Sequence, residues 1–151
     1  MHYAGSFDER ALKPHPIFEG HADGHRRADL VNQAQGSVHH GLSIDELAPG
    51  GTIPTHMHSF EESFYILSGE AIVTVGSDTY TLRRGDFGTA KVGVTHAWWN
   101  QGQAPVRWLQ MASPQPKPVG AERDTFFAKK PTPRPSAPGL TGEAAAGKLF
   151  G

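Results

Sequence analysis

The chain has 151 residues, the size of one domain, with 14 Lys and Arg against 15 Asp and Glu and a formal charge of -1. Charges of both signs are scattered, so no basic patch points to nucleic acid or an anionic membrane, and the lack of cysteine excludes disulfides and thiolate metal sites. Met1 to Arg10 has no basic stretch followed by an apolar run, and nothing reaches the ~20 apolar residues of a membrane span, which makes a cytoplasmic protein the expectation.

Eighteen glycines and twelve prolines interrupt the chain, and no apolar pattern of helical period is sustained, so the expected fold class is all-β. Residues 1–36 read as an irregular arm, in which Arg26 to Gln35 could be helix or strand. Residues 37–113 carry the strand signal and read as one barrel or sandwich. A first strand is expected over Val38 to Leu47, closed by Pro49-Gly50-Gly51. Glu62 to Leu67 follows, and Ser68-Gly69 turns the chain into Ala71 to Val75. Gly76-Ser77 fits a two-residue type II′ hairpin loop leading into Thr79 to Leu82. Arg83-Arg84 belongs to a solvated turn ahead of Phe87 to Ala90, and His96 to Asn100 and Val106 to Ala112 complete the set. Residues 114–151, with seven prolines, lack the composition for a core of their own.

His56 and His58 are two residues apart, so in a strand both imidazoles project from one face. Glu62 opens the next apolar run, and His96 heads a distant one. Three imidazoles and a carboxylate form a nitrogen-rich set for one divalent transition metal. Fe(II) and Mn(II) are favoured, and Ni, Co, Cu and Zn are also suited; Ca²⁺ and Mg²⁺ are not. Gly50, His56, His58, Glu62 and Gly69 reproduce the spacing G-x5-H-x-H-x3-E-x6-G. Gly85, Gly93, His96 and Asn100 match the second motif G-x5-P-x-G-x2-H-x3-N, with Lys91 at the proline position. On these motifs the chain resembles the cupin superfamily. The resemblance implies a jelly-roll β-barrel with the metal inside, His56, His58, Glu62 and His96 as its ligands, and two coordination positions left for water or substrate.

The remaining candidates divide by strand phase. Phe64 and Ile66 follow Glu62 inward, and Trp98 shares the phase of His96, so these three are expected as apolar walls of a substrate pocket. Trp99 should face outward, and Trp99 and Trp108 could instead cover a subunit interface. On the last strand Arg107, Leu109 and Met111 share one face, and Val106, Trp108 and Gln110 the other. Whichever face turns inward makes Arg107 or Gln110 the polar contact for a substrate. His21 and His25 read as a solvated loop beside Gly20 and Gly24, and His39 and His40 as surface residues with a possible inward turn. No Ser/His/Asp arrangement, phosphate loop or dinucleotide fingerprint is present.

An apolar, aromatic-walled metal site points first to an oxygenase (a dioxygenase) acting on a small enolisable or phenolic substrate, with Glu62 as ligand or general base. The alternatives are a non-redox isomerase, lyase or decarboxylase, and a non-catalytic binding module for a small ligand. The expected assembly is a homodimer whose arm and tail cross to the partner.

Overall fold

The structure is a computed structural model, and it describes residues 2–115 and 124–129. Nine strands and no α-helix are found among these residues: β1 Asp23–Val31, β2 Gly41–His58, β3 Glu61–Ser68, β4 Glu70–Val75, β5 Asp78–Arg83, β6 Phe87–Ala90, β7 His96–Trp99, β8 Val106–Ser113 and β9 Thr125–Phe127. Among the described residues no helix is long and apolar enough to cross a membrane. The longest strand, β2, organises the rest. Its first half pairs with β1 and β8, its second half with β7 and β9. From the first half the order runs β1-β2-β8-β3-β6, and from the second β9-β2-β7-β4-β5. Two five-stranded layers therefore share one bent strand, and all pairings are antiparallel.

The bend falls at Pro49-Gly50-Gly51, where the sequence suggested an end. The chain instead continues as strand. Gly50 N–H donates to the Asn100 carbonyl at 2.9 Å and Asn100 N–H to the Gly51 carbonyl at 3.0 Å. A Cβ on Gly51 would meet the Ala48 and Asp23 carbonyl oxygens at 2.8 and 2.9 Å, so only glycine fits the crossing. The Asn100 side chain completes the clasp, donating to the Leu47 and Ala104 carbonyls at 2.9 and 2.8 Å and accepting from Gly102 N–H. The strand expected from Val38 is β2; it begins at Gly41, and Val38 is exposed.

Strand phase decides the core. Across the first layer the register aligns Asp45, Trp108 and Ile66 in one transverse row and Ser43, Gln110 and Phe64 in the next. The second layer contributes Ile53, Val73, Val75, Leu82 and Trp98. The layers meet where Trp98 stacks on Trp108 at 4.5 Å and stands edge-on to Phe64 at 5.0 Å. Phe64, Ile66 and Trp98 therefore face inward as expected. Trp108 fills the same core, and Trp99 is buried on the opposite face with Ile72 and Ala97, so neither tryptophan is left over for a subunit interface.

The hairpin between β4 and β5 has the two-residue loop expected, with positive φ at Gly76 and not at Ser77, as a type II′ turn requires. At the turn between β3 and β4, Gly69 has φ 77 and lies so close to the Pro105 carbonyl that a Cβ would meet it at 2.6 Å. The turn before β7 closes without proline, as Val94 N–H donates to the Lys91 carbonyl at 3.0 Å. Arg83 and Arg84 are exposed, as the solvated-turn reading requires.

The arm is more ordered than its composition suggests. Of the two readings for Arg26 to Gln35, strand holds through Val31, and Gln33–Gln35 form a 3₁₀ turn. Leu12 and Ala28 pack on Ile44 outside the barrel. Thr125–Phe127 likewise pairs with β2. These parts of the arm and tail pack on their own chain. The rest of the tail, residues 116–123 and 130–151, lies outside the described residues.

Candidate metal centre

The antiparallel pairing of β2 with β7 sets His56 opposite His96, and their rings lie 4.2 Å apart. His58, two residues on, shares the inward face, with its ring 4.8 Å from that of His56. Glu62 arrives from β3 just after the connection. One potential ligand atom from each of His56, His58, Glu62 and His96 lies within 4.8 Å of the other three, and all four residues are buried. The sequence-predicted quartet is thus brought together in space.

Each imidazole is oriented from behind. His56 Nδ1 and His96 Nδ1 donate to the Pro54 and Val94 carbonyls at 2.8 and 3.0 Å. A carbonyl can only accept, so both rings carry the proton on Nδ1 and present the Nε2 lone pair. His58 Nδ1 is bonded to the Thr125 hydroxyl at 3.0 Å, which turns its Nε2 inward to 3.0 Å from Glu62 Oε2. His96 Nε2 stands 3.6 Å from Glu62 Oε1, buried and without a hydrogen-bond partner. An imidazole lone pair facing a carboxylate oxygen in a buried site calls for a cation between them. The residues therefore fit the metal site of a cupin.

Electrostatics agree. Burial opposes the charged form of Glu62, yet the nearby His96, His58 and His56 outweigh it and hold the carboxyl well below its usual range. Burial, reinforced by the neighbouring imidazoles, pushes His56 well below its ordinary value, and burial lowers His96 as well. Neutral imidazoles and an ionised carboxylate are the states a divalent ion requires.

Gln110 is the polar residue that the register turns inward. Its amide Nε2 donates to Glu62 Oε2 at 2.9 Å while its Oε1 accepts from Trp108 Nε1 at 3.0 Å. This pair of bonds fixes the amide orientation. Arg107 stands on the outer face, where it bridges Glu46 at 2.6 Å and Glu9 at 2.7 Å. Its candidacy as a pocket contact is corrected by that register, because residues of β8 alternate between faces and Gln110 occupies the inner one. Phe64, Ile66 and Trp98 form the packed core around these groups.

Several neighbours of the centre escape a reading by composition. Phe60 stacks over His58 at 4.4 Å, while Phe18 and Phe127 approach His56 at 5.5 and 5.6 Å. Thr125 comes from the proline-rich tail. His25 contradicts its assignment to a solvated loop: it is buried, and its Nε2 bonds Asp45 Oδ1 at 2.7 Å. The same carboxylate accepts from Arg27 Nε at 2.8 Å and Ser43 Oγ at 2.7 Å, a network one strand away from the metal centre. The signal was present in Ser43 and Asp45, polar residues in phase with core positions, since a buried acid needs partners. His21 remains exposed and stacks on Phe127 at 3.9 Å, and His39 and His40 are exposed.

Acid should destabilise the metal-free fold. Burial and the Arg27 charge push His15 down to about 4, and His56 and His96 are lowered too. The unfolded chain then binds more protons than the folded one below about pH 6.5, so this stability is full above that value and declines as pH falls, His15's share down to about 4. The melting temperature of chelator-treated protein is expected to drop steadily between pH 7 and 4, with a shallower drop in His15→Phe. A flat profile would contradict the neutral state of these rings.

Comparisons with known proteins now have a geometry to meet. The cupin domain model matches residues 43–111. The tetracenomycin polyketide synthase protein TcmJ of Streptomyces glaucescens is 31% identical over 116 residues, covering 76% of this chain and 75% of that protein. A gentisate 1,2-dioxygenase from Ralstonia is 31% identical over 80 residues, 52% of this chain but only 22% of the dioxygenase. Among solved structures, the polyketide cyclase RemF from Streptomyces resistomycificus superposes with a TM-score of 0.65 at 20% identity, covering 75% of this chain and 81% of that one. The motif match, the shared double-stranded β-helix and the breadth of the curated similarity together establish that this protein belongs to the cupin superfamily.

Proposed function

We propose that this cupin is a metal-dependent enzyme that enolises a small, flat polycarbonyl or phenolic substrate, with Glu62 as the base. The observation that carries the reading is a buried Glu62 carboxyl set among three imidazoles and aimed by Gln110. A divalent transition metal held by His56, His58, Glu62 and His96 would supply Lewis acidity at a carbonyl or enol oxygen. Gln110 holds Oε2, and Oε1, which faces His96 across the metal position, would take a proton from a carbon between two carbonyls when it leaves the ion. The carbanion so formed attacks a second carbonyl of the same molecule and makes a ring carbon–carbon bond. The alkoxide takes up a proton, and water is lost in the final dehydration. The apolar barrel interior excludes bulk water from the carbanion. No oxidant enters this balance.

Ring closure is preferred over oxygen chemistry because the broad curated relative is a polyketide synthase protein and the superposed structure is a polyketide cyclase. Oxygenation is kept as the second reading on the likeness to the gentisate 1,2-dioxygenase. Fe(II) or Mn(II) suits oxygenation, whereas any of the transition metals named above suits ring closure.

One experiment separates them. Protein loaded in turn with zinc, manganese and iron(II) is given an aryl 1,3-diketone in D₂O, and loss of the α-proton is followed by NMR under nitrogen and under air. Metal-dependent exchange under nitrogen, active with zinc and lost in Glu62→Gln, supports enolisation by Glu62. Turnover that occurs only under air and only with iron or manganese, with oxygen consumed, moves the assignment to the oxygenase. No exchange and no turnover with any metal would overturn both and leave a binding module.

A further inference from the structure

A cavity of about 470 Å³ opens beside the metal centre, within the volume range of small-molecule sites. Its lining includes Arg27, Ser43, Phe60 and Gln110, with His15 and Asp29 nearer the outside. Gln110 connects it to the centre, since this residue both lines the cavity and bonds Glu62. Phe60 connects it again, stacked on His58.

Arg27 is the cation of this cavity. It is largely buried, with a side-chain exposure of 14%. Its Nε is committed to Asp45, whose Oδ1 also accepts from His25 and whose Oδ2 accepts from Ser43. Among the described residues no acceptor is bonded to either Arg27 Nη. The end of the guanidinium remains as two parallel donors, a geometry that matches a carboxylate. Arg27 and Asp29 share one face of β1, paired to Asp45 and Ser43 of β2, and Ser43 pairs in turn with Gln110. Arg27 and Gln110 lie in adjacent transverse rows of the sheet, and a flat molecule lying across them would have one end at Arg27 and the other near Gln110, which bonds Glu62.

We infer that Arg27 is the anion anchor of the cavity, and that the ligand is a flat aromatic or enolic molecule bearing a carboxylate held end-on by its two Nη groups. The inference rests on the proposed function only for the direction of the reactive end; the carboxylate anchor stands on Arg27 itself. Asp29 is exposed at the rim and opposes the carboxylate.

The test is calorimetric titration of the full-length protein with 2-naphthoate and with its neutral amide, both chelator-treated and zinc-loaded. The acid is expected to bind ~10-fold or more tightly than the amide in both states, as hydrogen bonds to a charged partner imply. Arg27→Lys keeps a cation for Asp45 but loses the fork, so it should lose ~10-fold for the acid and leave the amide within about two-fold. Asp29→Asn, at an exposed position, should tighten the acid and leave the amide unchanged; this variant serves if Arg27→Lys does not fold. Equal binding of acid and amide by the wild type overturns the anchor. So does an acid preference that needs zinc and survives in Arg27→Lys, because the carboxylate would then be bound by the metal. That outcome leaves the proposed enolisation standing, whereas absent α-proton exchange with a normal acid preference removes enolisation and keeps the anchor.

Discussion

Replacing His96 by alanine is expected to abolish metal binding while the barrel still folds. His96 comes from β7, on the opposite side of the centre from the connection that carries His58 and Glu62. Without it the centre keeps three donors from β2 and β3 but loses the imidazole that closes it. Removing a hydrogen-bonding partner of a metal ligand already costs ~10–100-fold in affinity, and removing the ligand itself should exceed that. The fold should survive, because neighbouring Trp98 stays stacked on Trp108 and Val73 and Val75 keep their pairing with β7. Elemental analysis of purified variant and wild type, with circular dichroism on the same samples, gives the readout. Full metal occupancy in a folded His96→Ala protein would falsify the ligand assignment.

The second large effect is on stability. Asp45→Ala is expected to destabilise the protein by about 3–5 kcal/mol, the usual range for breaking a buried ion pair from one side. Asp45 is fully buried and satisfies His25, Arg27 and Ser43 at once. Burial opposes its charge, but Arg27, His25 and Ser43 together hold its carboxyl below the ordinary value. Truncation leaves the Arg27 guanidinium largely buried without the carboxylate bonded to it. For a domain of this size the melting temperature should fall by roughly 6–20 °C. Asp29→Asn is the control, because that exposed carboxylate on the same strand face should change stability by no more than about 0.5 kcal/mol. A similar small change for Asp45→Ala would mean that the buried network is relieved by water.

The quartet was legible because its logic is local. His56 and His58 need only the alternation of a strand, and the turns around them advertise themselves through Gly69 and Gly93. The inward phase of Phe64, Ile66 and Trp98 follows from the same alternation. The choice between Arg107 and Gln110 was not local: it depends on which face of β8 turns inward with Glu62 and Phe64 of β3, and a register is a property of two strands. His25 was hidden for a related reason. Gly20 and Gly24 beside it argue for a loop, while its partner Asp45 lies twenty residues away. Thr125 is further still, 67 residues from His58 and embedded in a stretch whose composition suggests no structure. What sequence composition misses here are strands ordered by pairing with an existing sheet, since a β-edge supplies hydrogen bonds that a segment need not provide for itself.

The two outer strands flanking β2 give the centre a division of labour. The ligands sit on β2, β7 and the start of β3, inside the part of the chain that the family model matches. Arg27, Phe18, Thr125 and Phe127 all lie outside it, before residue 43 or after residue 111. The ligands and part of their surroundings are therefore encoded in different stretches of sequence. Exchanging the terminal segments between cupins of this size is expected to leave the four ligand residues in place while changing the hydroxyl that orients His58 and the rings that pack on His56.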